Sequence, residues 1–315
     1  MKQYLEQLGH HVTMVDPSDS PWFNYSTSDI VIFEGVSKYY FIALAVNRTI
    51  RKSLKVIFTH GSFYEHFHSS ELENEGYAPP RRIWRLIKRV SVITWLKVFM
   101  DTFDFVFVLS KTEKQEVMRE FGIVNATVEV LDNFEHEFIA APSRLGQIPI
   151  EGFSPYVCAI SRVDYRKNFL AVLKAINGTG VHFVLAGMDH GALRELNEFA
   201  ISHSMTNFHY LGQISEEAKF WIIANSIATI LPSFFEGVPF LAYESLQMNK
   251  PVIITKNSYI ESLPGIVKCS PEPNSIREAI LSITNHFPSP SSHKIRSGED
   301  VANDFLSLVG YNKDN

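Results

Sequence analysis

The chain has 315 residues, of which 45% are hydrophobic and 20% are charged, enough to bury two cores of ordinary size. Its formal net charge of −5 excludes the strong basic field typical of nucleic-acid-binding proteins, so we expect no nucleic-acid partner. The two cysteines lie in apolar runs, which argues against a disulfide scaffold and for a location in the cytoplasm. No apolar run reaches the roughly 18 residues that a membrane-spanning helix needs.

Short runs of β-branched and aromatic residues alternate with segments of helical period along the whole chain. Near-continuous apolar runs of this length are typical of parallel strands covered by helices on both faces. The sequence therefore predicts a tandem α/β architecture. The predicted strands are HVTMVD, DIVIFEG, KVIFTH, FDFVFVLS and VEVLD in the first half, then YVCAIS, HFVLAG, FHYLG, ATILP and PVIIT in the second.

A polar turn rich in histidine follows the predicted strand KVIFTH. It begins with His60 and Gly61 and continues with Glu65, His66 and His68. A zinc site built from the three histidines and the glutamate is one interpretation, and a plain polar loop is the other. Because neither cysteines nor an H-E-x-x-H helix accompany the cluster, we predict no metal site.

A basic stretch without acidic residues runs from residue 76 to residue 100. At about 100° per residue, its first five cations fall within about one third of a helix circumference, with apolar residues on another face. This pattern is typical of a helix on an anionic membrane surface, and an ordinary surface helix with a basic outer face is the alternative. The five cations are Arg81, Arg82, Arg85, Lys88 and Arg89.

The domain boundary is predicted in residues 140–155, which are rich in proline, glycine and serine and show no clear period. We expect a first domain over residues 1–145 and a second over residues 146–315, with packing of the last helix back on the first domain as an alternative. Ligands of doubly wound sheets lie beyond the carboxyl ends of the strands, so the loops after the predicted strands are where we expect the chemistry.

Two cations flank the loop after the predicted strand YVCAIS. Arg162 and Lys167 lie five residues apart, with Arg166 between them, and a helical segment begins near Asn168. The planar fork of an arginine and the mobile charge of a lysine suit the oxygens of a diphosphate. A solvated basic turn is the alternative, and Asn168 suits a helix N-cap.

Two glutamates eight residues apart, Glu236 and Glu244, surround the start of a later predicted helix. Each carboxylate can accept hydrogen bonds from vicinal hydroxyls, which sugars present in pairs. Gly237 allows close approach of the backbone to a ligand, Pro239 suits the first helical turn, and the helix N-terminus favours an anion. The alternative is a carboxylate at a helix start together with a solvated helix residue.

The ordered segments SRVDYRKN, FVLAG, FHYLG and LPSFFEGVPFLAYESLQMNKPVI resemble the donor domain of retaining glycosyltransferases of the GT-B fold. Glu236 and Glu244 match the E-x7-E motif of that family. The resemblance implies an α/β fold of the GT-B type, in which two Rossmann-like domains face each other across a crevice. It also implies metal-independent transfer of a sugar, with retention, from a nucleoside diphosphate sugar to a hydroxyl acceptor, and no cofactor beyond the donor substrate.

The resemblance gives each matched residue a role. Arg162 and Lys167 would hold the diphosphate and stabilise the charge that develops on it as the glycosidic bond breaks. Glu236 would contact the donor sugar, and Glu244 would bind the ribose hydroxyls. His60 is a candidate for a catalytic contact with the donor sugar. The backbone of Gly237 and Val238 would bind sugar or phosphate. Gly61 and Ser110 are candidates on the acceptor side. A plain helix N-cap is the alternative for Ser110.

The expected partners are a nucleotide-sugar donor and a glycan or lipid-linked acceptor. A lipid-linked acceptor would place the basic stretch on the inner face of a membrane. The opening MKQYLEQLGHHVTMVD resembles the end of the first helix and the second strand of the family's first domain, without the first strand and its glycine-rich loop. A non-catalytic GT-B-like subunit that binds a nucleotide or glycan is therefore the main alternative, and sugar-phosphate chemistry such as epimerisation is a third.

Overall fold

The computed structural model of the chain describes residues 1–15, 28–34, 53–59, 97–132, 153–285 and 296–311. The chain divides into two compact units, Met1–Phe134 with Arg296–Asn315 and Glu135–Ile295. The end of the chain therefore belongs to the first unit. The predicted boundary at residues 145 and 146 lies outside the described residues.

Both units combine parallel strands with helices, which confirms the predicted α/β class. The strands are β1 Ile30–Glu34, β2 Leu54–Phe58, β3 Phe105–Val108, β4 Thr127–Val130, β5 Tyr156–Ile160, β6 His182–Ala186, β7 Phe208–Tyr210, β8 Ala228–Leu231, β9 Val252–Thr255 and β10 Ile266–Cys269. The helices are α1 Lys2–Gln7, α2 Lys111–Phe121, α3 Phe169–Ile176, α4 Leu193–Ser202, α5 Glu216–Asn225, α6 Phe240–Gln247, α7 Pro273–Asn285 and α8 Gly298–Leu308.

The first unit contains a parallel sheet in the order β1-β2-β3-β4. Successive side chains of a strand point to opposite faces, so each strand contributes to two cores. In β2, Ile57 packs in a cluster with Val117 and Phe121 of α2, whereas Phe58 packs in a second cluster with Phe305 of α8. Both faces of this sheet are therefore covered by helices.

Residues 11–15, which the sequence predicts as part of a strand, form none in the structure. The apolar run that suggested the strand does not bury its side chains, since Met14 is 66% exposed. A buried strand requires this burial together with neighbours on both edges. The prediction of a strand at HVTMVD is wrong for residues 11–15, and Asp16 lies outside the described residues.

The second unit contains a parallel sheet in the order β10-β9-β8-β5-β6-β7. The chain moves from β5 to β6 on one side and later returns to β8 on the other side of β5. The strand order therefore reverses between β5 and β8. In open α/β sheets, the crevice beyond the carboxyl ends of the strands at such a reversal is where ligands bind.

Side chains of α3, α7 and the central strands form the main core of the second unit. All four residues of β8 and all four of β9 are buried, as expected for strands covered on both faces. This core holds the loops after β5 and β8 on a rigid base. Within the part of the chain that the structure describes, no helix has the length and apolar character needed to cross a membrane.

Candidate active site

Three loops meet beyond the carboxyl ends of the central strands: residues 161–168 after β5, residues 232–239 after β8 and residues 256–265 after β9. Backbone hydrogen bonds join them. The Phe234 N–H donates to the Arg166 carbonyl over 3.0 Å, and the Glu236 N–H donates to the Asn257 carbonyl over 3.1 Å. The Arg166 guanidinium also lies 5.6 Å from the centre of the Phe235 ring. The loops that carry the predicted site residues are thus fixed to one another.

Asn168 ties together three loops rather than capping a helix. Its backbone is left-handed, with φ 56°, and its side chain makes no capping hydrogen bond to α3. The Nδ2 amide instead donates to the Pro232 carbonyl at 3.1 Å and to the Pro271 carbonyl at 2.9 Å. Asparagine tolerates this backbone conformation better than most residues. Asn168 thus occupies the predicted N-cap position, but its side chain does not cap the helix because two distant carbonyls accept its amide hydrogens.

Replacing Asn168 by alanine is expected to lower the free energy of unfolding by about 2–4 kcal/mol, because two carbonyls lose a donor and a left-handed residue loses its preferred side chain. Asn249→Ala is the matched control. Asn249 also has φ 56°, but its side chain is exposed. We expect about 1 kcal/mol there. Urea denaturation measures both variants, and equal losses would show that the amide bonds of Asn168 contribute nothing.

Lys167 and Glu236 form a close ion pair although they lie 69 residues apart in sequence. The Lys167 Nζ lies 2.7 Å from Glu236 Oε2, and the two side chains are only 16% and 18% exposed. The buried Ser233 hydroxyl donates to the same oxygen at 2.7 Å. No hydrogen bond from a described residue reaches the other oxygen, Oε1. The described residues therefore hold the carboxylate by one oxygen.

Arg162 stands apart from this pair. Its side chain is 57% exposed, and its Nη2 lies 3.9 Å from Asp164 Oδ2. Asp164 is occupied locally, since it accepts the Arg166 N–H at 3.0 Å and caps the short 3-10 turn Tyr165–Lys167. The structure thus brings Lys167 to Glu236 and leaves the Arg162 guanidinium open to solvent, where it can bind an anion.

Glu244 pairs with a different lysine, Lys219, which the sequence analysis does not single out. The Lys219 Nζ lies 2.8 Å from Glu244 Oε1, and the side chains are 13% and 17% exposed. Glu244 is therefore not the solvated helix residue of the alternative interpretation. The sequence does contain a sign of this pair: Lys219 lies inside the apolar segment AKFWII, where a cation needs a buried partner.

The electrostatics around Lys219 favour the charged ammonium. Burial by itself would lower the pKa of Lys219, but hydrogen bonds to Glu216 and Glu244, together with the charges of both carboxylates, outweigh burial and raise it. The Glu216 Oε2 lies 2.6 Å from Nζ. Each glutamate of the E-x7-E pair thus has its own lysine.

Part of the chain matches a known protein family. Residues 146–268 match the family glycosyl transferases group 1. The match covers 123 of the 315 residues. No curated protein matches the chain by sequence.

Solved structures resemble the chain over most of its length. Sucrose-phosphate synthase from Thermosynechococcus elongatus has TM-score 0.69 and 15% identity, covering 90% of this chain and 74% of the other. HepE from Anabaena, in complex with UDP and glucose, has TM-score 0.67 and 14% identity, covering 90% and 78%. A UDP-forming trehalose-phosphate synthase from Burkholderia xenovorans has TM-score 0.64 and 10% identity, covering 89% and 74%. The likeness confirms the predicted GT-B fold class.

Within the residues that match this family, Gly237 and Val238 lie just before α6. The helix begins at Phe240 with Pro239 as its N-cap, one position earlier than the predicted place of the proline. The Tyr259 N–H donates to the carbonyls of Glu236 and Gly237, each at 3.2 Å. The carbonyl groups of Glu236 and Gly237 are therefore occupied. The role of the Gly237 and Val238 backbone in binding sugar or phosphate stays a prediction.

The structure also describes Ser110, one of the residues predicted on the acceptor side. Ser110 is the buried N-cap of α2, and its hydroxyl accepts the Glu113 N–H at 3.1 Å, which confirms the N-cap interpretation. The Glu113 carboxylate accepts the Thr59 hydroxyl at 2.7 Å. Thr59 is the residue before the predicted catalytic His60. A buried carboxylate thus anchors the end of β2 next to that position.

Several predicted residues lie outside the described residues. These are His60 and Gly61, the zinc alternative with Glu65, His66 and His68, and the basic residues Arg81, Arg82, Arg85, Lys88 and Arg89. Among the residues that the structure does describe, no group of three or more histidine, cysteine, aspartate or glutamate side chains could hold a metal ion.

Proposed function

We propose that the chain is a retaining, metal-independent glycosyltransferase that moves a sugar from a nucleoside diphosphate sugar to a hydroxyl acceptor. The observation that carries this proposal is the ion pair of Lys167 and Glu236, in the loops beyond the strands where the sheet order reverses, with the exposed Arg162 in the same loop as Lys167. This is the place where an open α/β sheet binds its ligand. Cations next to an oriented carboxylate suit a ligand that joins a diphosphate to a polyhydroxylated ring.

Each side chain has a distinct task in this proposal. As the bond from the sugar to the diphosphate breaks, its electron pair goes to the diphosphate oxygen, and the ammonium of Lys167 and the guanidinium of Arg162 stabilise the added charge. The acceptor oxygen forms the new bond to the same sugar carbon, and its proton passes to the departing diphosphate. Glu236 orients Lys167 through Oε2 and accepts a sugar hydroxyl through Oε1. Because the charge appears only as the bond breaks, these contacts strengthen in the transition state and accelerate the step.

The donor's nucleoside is proposed to lie near Glu244, whose carboxylate accepts the ribose hydroxyls, with Gly237 and Val238 at the start of α6 supporting the sugar or phosphate. HepE binds UDP and glucose in its solved structure, and the trehalose-phosphate synthase is UDP-forming by name. A uridine diphosphate sugar is therefore the first donor to test. Retention is proposed from the match of Glu236 and Glu244 to the E-x7-E motif.

In the first unit, His60 is proposed to contact the donor sugar and Gly61 the acceptor, whereas the buried Ser110 caps α2. A glycan or a lipid-linked acceptor is proposed, with the basic stretch from Arg81 to Arg89 on the inner face of a membrane. This location is cytoplasmic and peripheral. The hydrogen bond from Thr59 to Glu113 supports the proposed role of His60, because it fixes the end of β2 next to that residue in sequence.

Ligand-induced thermal stabilisation tests the proposal. UDP, GDP and ADP, each free and as a sugar conjugate, are added to the wild type, to Lys167→Ala and to Glu244→Ala. A nucleotide at about 100 times its dissociation constant should stabilise the wild type by roughly 2.7 kcal/mol and the two variants much less. Release of the nucleoside diphosphate from the stabilising conjugate, unchanged by EDTA, should follow. Stabilisation without release would support the non-catalytic alternative, and no stabilisation by any nucleotide would overturn both.

A further inference from the structure

Lys219 is a poorly exposed cation on α5 that reaches the neighbouring helix α6. Ser215 caps α5, and Lys219 lies one turn inside the helix. Its ammonium contacts Glu216 of its own helix at 2.6 Å and Glu244 of α6 at 2.8 Å. It also lies 4.6 Å from the centre of the Phe220 ring. An ammonium held by two carboxylates and an aromatic ring has little freedom to move.

The two carboxylate partners of Lys219 differ in burial. Glu216 is 65% exposed, so solvent screens its i,i+3 pair with the ammonium, whereas Glu244 is only 17% exposed. The second bond instead crosses to α6 and fixes one oxygen of Glu244, Oε1. No hydrogen bond from a described residue engages the other oxygen, Oε2. The lysine therefore determines how Glu244 presents its remaining acceptor.

The charge of Lys219 also changes what Glu244 does to a nearby anion. An ionised carboxylate without a cation would repel a nucleoside diphosphate, and the ammonium of Lys219, although it is shared with Glu216, weakens this repulsion by Glu244. A site for an anionic ligand with hydroxyl groups needs both properties. It must accept hydrogen bonds without opposing the phosphates.

We propose that Lys219 is a positioning residue for the nucleoside of the donor: it holds Glu244 so that Oε2 accepts a ribose hydroxyl. This inference rests on the proposed function, since it requires a nucleoside diphosphate in the site. Preorganisation is the physical reason. A glutamate already fixed by its partner loses less side-chain freedom on binding than a free one, so its hydrogen bond to ribose adds more affinity.

Calorimetric titration with ribose and deoxyribose ligands tests this role. The probes are UDP, GDP and ADP together with their 2′,3′-dideoxy counterparts, and the proteins are the wild type, Lys219→Met, Lys219→Arg and Lys250→Met. The wild type should bind its ribonucleotide about tenfold or more tightly than the dideoxy analogue, as a hydrogen bond to a charged group predicts. Lys219→Met should reduce this ratio to about twofold or less, and Lys219→Arg should restore most of it.

Lys250→Met is the matched control. Lys250 is also a partly buried lysine of the second unit, but its Nζ donates to the Ser226 carbonyl at 2.9 Å and it precedes β9, at the opposite end of the strand from the candidate site. Its ribose preference should equal that of the wild type. If Lys219→Met does not fold, the double variant Lys219→Met/Glu216→Gln is titrated in its place. Its second substitution removes one of the two carboxylate charges that Lys219→Met leaves without a cation.

The outcomes separate this inference from the proposed function. A wild type that binds none of the three nucleotides overturns the proposed function, and this inference with it. A Lys219→Met protein that keeps the full ribose preference overturns only the role of Lys219. So does an equal loss of affinity for the ribose and dideoxy ligands, because a purely structural lysine would weaken both alike.

Discussion

Lys167→Met should reduce kcat/KM for nucleoside diphosphate release by about 10²–10³. Methionine keeps the length of the side chain and removes the charge. The diphosphate then leaves without the ammonium that stabilises its developing charge, and Glu236 keeps a carboxylate whose partner at 2.7 Å is gone. Lys167→Arg should recover part of the rate, since it restores a cation without the same geometry. Steady-state kinetics with the donor sugar identified by thermal stabilisation measures each variant.

Stability and turnover should respond differently when both members of the pair are changed. Lys167→Met alone should lower the free energy of unfolding by about 1–3 kcal/mol, because a mostly buried carboxylate loses its cation. Adding Glu236→Gln removes that charge and should restore most of the stability. It should not restore the rate, since the diphosphate still lacks its ammonium. A rate that recovers together with stability would reduce the pair to a structural ion pair.

Lys114 and Glu129 provide a matched control in the first unit. Their charged atoms lie 3.0 Å apart, and the side chains are about one third exposed. Lys114→Met should cost no more than about 1 kcal/mol of stability and leave turnover unchanged, as expected for an ion pair near the surface. A comparable loss of turnover in this variant would show that the kinetic effect of Lys167→Met is not specific to the site.

The donor-side loops could be predicted from sequence because their positions follow from sheet topology. Arg162, Lys167, Glu236 and Glu244 all lie after, or in the helix after, apolar runs that form β5 and β8. Parallel neighbouring strands bring such loops to one edge. The 2.7 Å contact between Lys167 and Glu236 is consistent with this placement, but the spacing of residues within each loop does not determine it.

Three features escaped prediction because they depend on contacts between distant parts of the chain. Lys219 reaches Glu244 across 25 residues, from one helix to the next. Asn168 has the local pattern of an N-cap, yet its amide is used by carbonyls 64 and 103 residues away. Residues 11–15 have the composition of a strand but not its burial. Local propensity is a weak guide wherever tertiary partners compete for the same group.

Gly187→Ala should destabilise the second unit by about 3–5 kcal/mol, more than Gly191→Ala does. Gly187 follows β6 with φ +136°, a conformation that L side chains rarely adopt. A Cβ there would overlap the carbonyl oxygen of Ser161, the residue after β5. The Gly187 backbone cannot move away easily, since its N–H donates to Gly212 and its carbonyl accepts the Tyr210 hydroxyl, both at 2.7 Å.

Gly191→Ala separates the two contributions to that loss. Gly191 has φ +100°, but nothing lies within 4 Å of the position that its Cβ would take. It should therefore show the backbone strain alone, about 1–2 kcal/mol. Scanning calorimetry should place the unfolding midpoint of Gly187→Ala roughly 4–12 °C below that of Gly191→Ala. Equal midpoints would mean that the loop after β5 yields to the added methyl group.

The same clash should reach the candidate active site, because Ser161 directly precedes Arg162. To relieve the overlap, the loop of residues 161–168 has to shift away from β6, and this loop carries both Arg162 and Lys167. Nucleotide affinity should therefore fall in Gly187→Ala at temperatures where the protein is still folded, and remain unchanged in Gly191→Ala. Close packing of β6 against the end of β5 is then what sets the position of Arg162 and Lys167, the cations proposed to bind diphosphate, and glycine is required because no other residue permits that approach.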